Sequence, residues 1–380
     1  MHLQIHRDQM THAINDVSKA VSSRTTIPIL TGIKISSHSE GITLTASDSD
    51  ISIEYTIPME EDGKLYVDIK QHGSIVLPAR YLNDIIRKLP SDFVELHVND
   101  RFLSTIRSGR SEFNLNGLDA EDFPRLPQIE EEKVFSIQSD ILKTMIKQTA
   151  FAVSTTETRP ILTGIMWALE GDQLQFVATD SHRLARRQAT VEASPELAFE
   201  NIVIPGKSLQ ELNKILPDND SLIDIVVTDN QILFKTDRIL FYSRLLNGTY
   251  PDVNRIIPSQ SKTNIILNTK EFLHAIERAS LLAKDGKNNV VKCSIDLGGV
   301  MEISSTSPEV GKVTDEIEVK SIEGEELKIS FNAKYMLDTL RVMDSEEVQI
   351  SFTGAMSPFI IQPTDTEHML YLILPVRTYQ

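Results

Sequence analysis

Asp180-Ser181-His182 sets three residue types of a nucleophilic triad side by side. A triad is assembled from residues distant in sequence that a fold brings together, and neighbours at a strand end do not easily converge on one reacting atom. Gly206-Lys207-Ser208 precedes a helical pattern and ends as a phosphate-binding loop does, but that loop needs a glycine five residues earlier, where this chain has Asn201. Asp48-Ser49-Asp50 begins like a calcium loop and lacks the following glycine and the terminal glutamate at the right spacing. The nine histidines are scattered, and the one cysteine, Cys293, makes neither an internal disulfide nor a zinc site. The expectation is no catalytic residue, no metal site and no cofactor, and no role for Cys293.

The elements that hold these residues recur. Ile75–Pro90 (IVLPARYLNDIIRKLP), Ile202–Pro217 (IVIPGKSLQELNKILP) and Ile329–Asp344 (ISFNAKYMLDTLRVMD) each read as a strand entering a helix, and their starts lie 127 residues apart both times. Lys207 therefore stands where the other copies have Arg80 and Lys334: it belongs to a recurring helix start with a basic residue. A second helix also recurs. Arg7–Val21 has apolar Met10, Ala13, Ile14, Val17 and Val21; Asp140–Phe151 has Leu142, Met145, Ile146 and Phe151; Lys270–Ala283 has Phe272, Leu273, Ile276, Ala279 and Leu282. These approximate the stripe of an amphipathic helix. Pro28-Ile29-Leu30-Thr31-Gly32 returns as Pro160-Ile161-Leu162-Thr163-Gly164, and Ala46-Ser47-Asp48-Ser49 as Ala178-Thr179-Asp180-Ser181, both 132 residues on.

Between the helices the period falls to two, as in Ile42–Ala46 and Ile51–Tyr55, the pattern of half-buried strands. Each repeat reads β-α-β-β-β twice over, with two helices and about eight strands. The fold class is α+β in three tandem repeats, with domains over 1–128, 129–258 and 259–380. Proline and charge mark the joints at Phe123–Pro127 with Glu130-Glu131-Glu132, and at Tyr250-Pro251 through Pro258–Lys262. Three such units suit a solenoid, a bead string or part of a ring. Open strand edges must be paired or covered, and a head-to-tail contact that closes makes a ring. Two chains would supply six domains and twelve helices.

The net charge of −16 argues against a conventional nucleic-acid binder, which carries a basic face. Counted over the helical patterns with their flanks (Arg7–Arg24, Ala79–Leu89, Ser139–Phe151, Gly206–Leu216, Thr269–Lys284 and Ala333–Met343), the charge is +7, which leaves −23 for the rest. A mildly basic helical surface would attract phosphates without gripping them, whereas many tight contacts would give strong, salt-dependent binding. The same asymmetry arises if helices merely carry more Lys and Arg than loops. Met1–Ala20 has no signal-peptide core and no stretch approaches 18 apolar residues, so a cytoplasmic protein without membrane contact is expected. Two glycosylation sequons, at Asn219 and Asn247, are then chance matches.

Thr155–Gly164 (TTETRPILTG) and Ala178–Ala185 (ATDSHRLA) resemble the middle domain of the bacterial beta sliding clamp family, the beta subunits of DNA polymerase III. Leu372–Arg377 is similar to the family's C-terminus and Ser22–Leu30 to its first helix exit; Phe113–Asp119 resembles the version from low-GC Gram-positive bacteria. The likeness spans the whole chain, including its length and triplication. It implies a non-enzymatic homodimeric ring, helices inside and sheets outside, that encircles duplex DNA irrespective of sequence and tethers the replicative polymerase. A clamp loader, which holds the ATP site, would open it.

The resemblance also implies a site for short partner peptides bearing a Gln and large apolar residues, walled here by Leu162, Thr179, His182, Arg183, Leu184, Pro251, Arg255, Ile256, Met356, Pro358, Leu374, Pro375, Val376 and Arg377. Such residues offer an apolar slot with a few orienting polar groups, and without the resemblance they read as ordinary core. Met356 is the candidate for an adaptable gate. His182-Arg183-Leu184 has no counterpart at Asp50-Ile51 or Ser304–Ser307, which predicts one site per chain. Phe113 and Leu115 match the family's first-domain edge strand at the dimer seam, and Leu281 and Leu282 its third-domain helix; intradomain core is the alternative. Arg24 matches a DNA-contact position, and Arg80, Lys207 and Lys334 would face the channel. Thr156 and Pro160-Ile161 stand where the family has polar and aromatic residues, so no DNA contact is carried over there. The rival function is an acidic peptide-binding scaffold that never encircles DNA.

Overall fold

The computed structural model describes the chain except for residues 23–24, 127–128, 130–133, 284–288 and 378–380. Arg24 and the Glu130–Glu132 run lie outside the described residues. Six α-helices occur among the described residues: α1 (Arg7–Val17), α2 (Ala79–Ile86), α3 (Ser139–Thr149), α4 (Gly206–Ile215), α5 (Thr269–Ala283) and α6 (Ala333–Leu340). Each follows a strand directly. The expected apolar stripes are the buried ones: Met10, Ala13, Ile14 and Val17 on α1, and Phe272, Ile276 and Ala279 on α5. Asn332 caps α6 by accepting from Lys334 N–H at 2.9 Å, and Asn268 caps α5 from Glu271 N–H at 3.0 Å.

The helices end earlier than the apolar pattern suggests. α1 tightens into a 3-10 turn at Ser18–Ala20, and Arg87, Lys88 and Arg341 follow the ends of α2 and α6. Over the helices proper the net charge is only +1, because α3 and α4 each carry one excess positive charge, α1 one excess negative, and the others balance. Much of the basic excess expected of the helices therefore lies beyond their C-terminal ends, where cations meet the unpaired carbonyls and the negative pole of the helix.

The described residues form two compact units, residues 1–139 with 214–245, and residues 140–213 with 246–380. The division cuts through the middle repeat, because its two halves join different neighbours. In the first unit a sheet runs Val134–Gln138, Leu222–Val227, Gln231–Lys235, Ile239–Arg244, Ile51–Pro58, Gly41–Ser47, Gly32–His38 and Ser74–Pro78. The crossing from repeat to repeat is antiparallel pairing of Ile239–Ser243 with Tyr55–Ile51. In the second unit the equivalent crossing pairs Arg183–Arg187 with Ile373–Met369.

Side chains at one register therefore form unbroken rows. One is Phe135, Ile225, Phe234, Phe241, Ile53 and Ala46. Its equivalent is Ile265, Ile350, Ile361, Tyr371, Ala185 and Ala178. The third such row exists in two pieces. Leu3, Leu96, Ile106 and Phe113 end on the edge strand Ser111–Asn116 in the first unit. Ser305 and Val313 end on the edge strand Gly311–Glu318 in the second. Phe241 is 0% and Tyr371 1% exposed, whereas Phe113, at the same register, is 40% exposed.

The recurring Pro-Ile-Leu-Thr-Gly is a 3-10 turn closed by its threonine: Thr31 and Thr163 hydroxyls donate to the Pro28 and Pro160 carbonyls, each at 2.7 Å. The glycine that follows is required by close approach. A Cβ at Gly164 would stand 2.6 Å from Val203 Cγ1 and 2.9 Å from the Ile204 carbonyl oxygen. Gly164→Ala is expected to cost about 1–3 kcal/mol through overpacking. A lowered urea midpoint of the fluorescence of Trp167, the chain's only tryptophan and fully buried, would report it; an unchanged midpoint would contradict it.

Candidate functional site

The aspartate of the twice-occurring Ala-Ser/Thr-Asp-Ser is a turn former. Asp48 Oδ1 accepts from Asp50 N–H at 2.7 Å and Ile51 N–H at 2.8 Å. Asp180 Oδ1 does the same for His182 N–H at 2.9 Å and Arg183 N–H at 3.0 Å. Side-chain acceptance of this kind fixes a turn after a strand. It explains the motif that invites comparison with a calcium loop or a triad. Ser181, in that turn, holds φ = 74° in the left-handed region.

Strand register then gathers the expected site residues. Arg183 lies opposite Ile373, and Ile373 opposite Phe359. Because both pairings are antiparallel, His182, Leu374 and Pro358 emerge at the same end of the sheet. Leu374 N–H donates to the His182 carbonyl at 2.9 Å, and Val376 N–H to the Ser330 carbonyl at 2.7 Å. Beneath this end, Leu162, Leu184 and Leu374 join one apolar cluster with Val177, Val203, Tyr250, Val253, Ile360, Leu370 and Leu372. Thr179 is tied into it: its N–H donates to the Tyr250 hydroxyl at 3.0 Å and its hydroxyl to the Arg183 carbonyl at 2.6 Å. Burial pushes the Tyr250 phenol well above its ordinary pKa, so it serves as a neutral acceptor.

The remaining expected residues are exposed or half-buried. Ile256 is 47% and Met356 56% exposed. Pro251 and Arg377 are exposed, and Pro358, Pro375 and Val376 half-buried. Arg255 pairs with Asp252 at 3.0 Å on the surface. The apolar floor with its exposed polar and apolar neighbours is chemically suited to an apolar peptide with an amide handle.

Arg183 differs from the other members, because its guanidinium is buried and hydrogen-bonded at all three nitrogens. Nε donates to Asp180 Oδ2 at 3.0 Å, Nη1 to Asp338 Oδ2 at 2.7 Å and Nη2 to the Phe151 carbonyl at 2.6 Å. Its carbon lies 4.6 Å from the centre of the Tyr335 ring and 5.3 Å from that of Phe151. The Tyr335 ring also stacks on His182, centroids 6.3 Å apart. Burial and the Asp180 carboxylate raise the Tyr335 phenol pKa. Arg183 thus positions the turn and offers no free charge to a ligand. Asp180, Tyr250, Tyr335 and Asp338 were not among the expected site residues. The recurrence of Asp180 at Asp48 is the one signal that marks any of them.

The other candidates are separate. Arg80, Lys207 and Lys334 each occupy the second position of their helix, α2, α4 and α6, and all three are exposed. Leu281 is 65% exposed and Leu282 half-buried near the end of α5, and Leu115 is half-buried on the edge strand; none of the four seam candidates is core. Arg278 of α5 bonds Asp315 of the other edge strand at 2.5 Å. Among the described residues no three His, Cys, Asp or Glu side chains converge as metal ligands. His2 and His6, four apart, fall on a strand, where that spacing separates residues by about 13 Å. Cys293 is buried, which pushes its thiol pKa up and away from reactivity.

Family models of the DNA polymerase III beta subunit match nearly the whole length: the N-terminal domain at residues 1–127, the central domain at 136–252 and the C-terminal domain at 254–377. The chain belongs to the beta sliding clamp family. It is 58% identical over 379 residues to the beta sliding clamp of Bacillus subtilis and 55% over 380 residues to that of Halalkalibacterium halodurans, each alignment covering 100% of both chains. Its fold superposes on the crystal structure of the Bacillus subtilis DNA polymerase sliding clamp with a TM-score of 0.97, at 57% identity and full coverage of both chains. The low-GC Gram-positive likeness of the sequence is thereby borne out, and the protein is a DNA sliding clamp. No helix among its described residues is long and apolar enough to cross a membrane.

Removing the Arg183 guanidinium takes this cation from the part-buried Asp180 carboxylate and leaves part-buried Asp338 to the exposed Lys334. Arg183→Ala is expected to cost about 3 kcal/mol, and Arg183→Lys to recover little, because an ammonium does not reproduce the planar fork. Urea denaturation of both variants checks this; a lysine variant as stable as the parent would refute it.

Proposed function

We propose that two copies close head to tail into a ring, helices inside and sheets outside, that encircles duplex DNA in the cytoplasm and performs no catalysis of its own. The observation that carries this is the divided third row. Within the chain, two repeat-to-repeat crossings join equivalent strands at equivalent registers. The same two strand types remain as open edges at Ser111–Asn116 and Gly311–Glu318. Pairing them between copies would bury Phe113 as Phe241 and Tyr371 are buried, with Leu115, Leu281 and Leu282 beside the seam. Register follows from the repeats. Gly32, Gly164 and Val290 lie opposite Pro78, Pro205 and Asn332, and two residues on, Lys34, Met166 and Lys292 face Thr45, Val177 and Ser304. Ser305 therefore matches Ala46 and Ala178, and Val313 matches Ile53 and Ala185. Phe113 should face Val313 of the second copy.

Domains over 1–128, 129–258 and 259–380 fit this scheme. Arg80, Lys207, Lys334 and Arg24 are the proposed phosphate contacts, few and sequence-blind, so that retention is topological rather than adhesive. The cluster ending at His182, Leu374 and Pro358 is the proposed docking site through which the replicative polymerase, the clamp loader and other partners attach by short peptides. The loader supplies the ATP chemistry of opening.

Loaded by its clamp loader onto nicked circular DNA, the protein should stay on circles through gel filtration at moderate salt and run off once the DNA is linearised. Equal loss from both would favour a scaffold that never encircles DNA. Phe113→Cys combined with Val313→Cys should give covalent dimers with a short bifunctional thiol reagent; monomers only, under conditions where the chain is dimeric, would refute the register.

A further inference from the structure

Asp338 Oδ2 is shared by two cations. It accepts from Arg183 Nη1 at 2.7 Å and from Lys334 Nζ at 2.6 Å. The cations differ in freedom: the Arg183 side chain is 8% exposed, the Lys334 side chain 63%. Lys334, Tyr335 and Asp338 all belong to α6, and Tyr335 lies against both Arg183 and His182. One carboxylate oxygen therefore faces the turn that shapes the peptide site on one side and a solvent-exposed ammonium on the other.

We propose that Asp338 is a positioning residue that couples the peptide site to Lys334, so that drawing Lys334 onto a phosphate raises the site's affinity for its peptide. This rests on the function proposed above. Two cations on one oxygen compete for it and repel each other. When Lys334 swings to a phosphate, Arg183 has the oxygen alone, and the His182-Arg183-Leu184 segment is held more firmly against Tyr335. A better-ordered site loses less conformational freedom on binding. The exposed pair limits the size of the effect to about two- to fivefold in affinity. By linkage, bound peptide strengthens duplex binding by the same factor.

The test is fluorescence anisotropy of a labelled short peptide carrying a glutamine and large apolar residues, at low salt, with and without a short blunt DNA duplex near saturation. The parent should bind the peptide about two- to fivefold more tightly with duplex. Lys334→Gln should show the tighter affinity without duplex and no response to it, and Lys334→Arg should restore the response. Asp338→Asn should weaken the peptide and abolish the response; because Lys334 is on the surface, its variants keep the test valid if Asp338→Asn folds poorly. Equal duplex response in the parent and Lys334→Gln, or an unaltered duplex-free affinity in Lys334→Gln, would overturn the coupling while leaving the peptide site standing. Failure of the parent to bind the peptide at all would overturn the site and the coupling together.

Discussion

An open strand edge exposes a ladder of N–H and C=O groups that must find partners, and this chain finds them by pairing repeat to repeat. The crossings at Ile53–Phe241 register and Ala185–Tyr371 register turn separate sheets into continuous ones. They also set where everything else falls. The turn at Asp180 projects from the end of a strand that is itself paired across a joint, so the site it builds draws on residues from Leu162 to Arg377. Without that pairing, His182 and Leu374 would share neither a sheet end nor a hydrogen bond.

Arginines reinforce both joints. In the second unit Arg183 links Asp180, Asp338 and the Phe151 carbonyl. In the first, Arg238 meets Glu61 and donates to Gln9 at 2.9 Å, with the Tyr66 ring 5.9 Å from its carbon. The guanidinium suits this work because its planar fork serves several acceptors at once while its face packs on an aromatic ring. The sequence distances bridged, 155 residues for Arg183 to Asp338 and 177 for Arg238 to Glu61, explain why no local pattern announces either contact.

Repetition made the architecture legible. Equal spacings of 127 residues fix the strand–helix units, and the burial of Met10, Ile14, Phe272 and Ile276 follows from their helical period. Helix ends were less legible, because Lys19, Arg87 and Arg341 continue a helical composition past the last helical turn. That shift takes Lys19, Arg87, Lys88 and Arg341 out of the helices and places them just past the C-terminal ends. At the site, apolar floor residues such as Leu162 and Leu184 carry a recognisable motif. Tyr250 and Tyr335 do not: each acts through one hydroxyl or one ring face whose partner is set only by tertiary packing. Arg183 was legible as a member but not as a buried brace.

The divided row of Leu3 to Phe113 and Ser305 to Val313 gives each chain two open edges of unlike strand type. A molecule with two such unlike ends has a valence of two. In the closed pair proposed above, forming one seam tethers the remaining two ends, so the second seam forms at an effective concentration far above that of free chains. Parting one seam then leaves the copies joined through the other. A gap wide enough to admit a strand of DNA and the continued association of the subunits are compatible states of the same assembly.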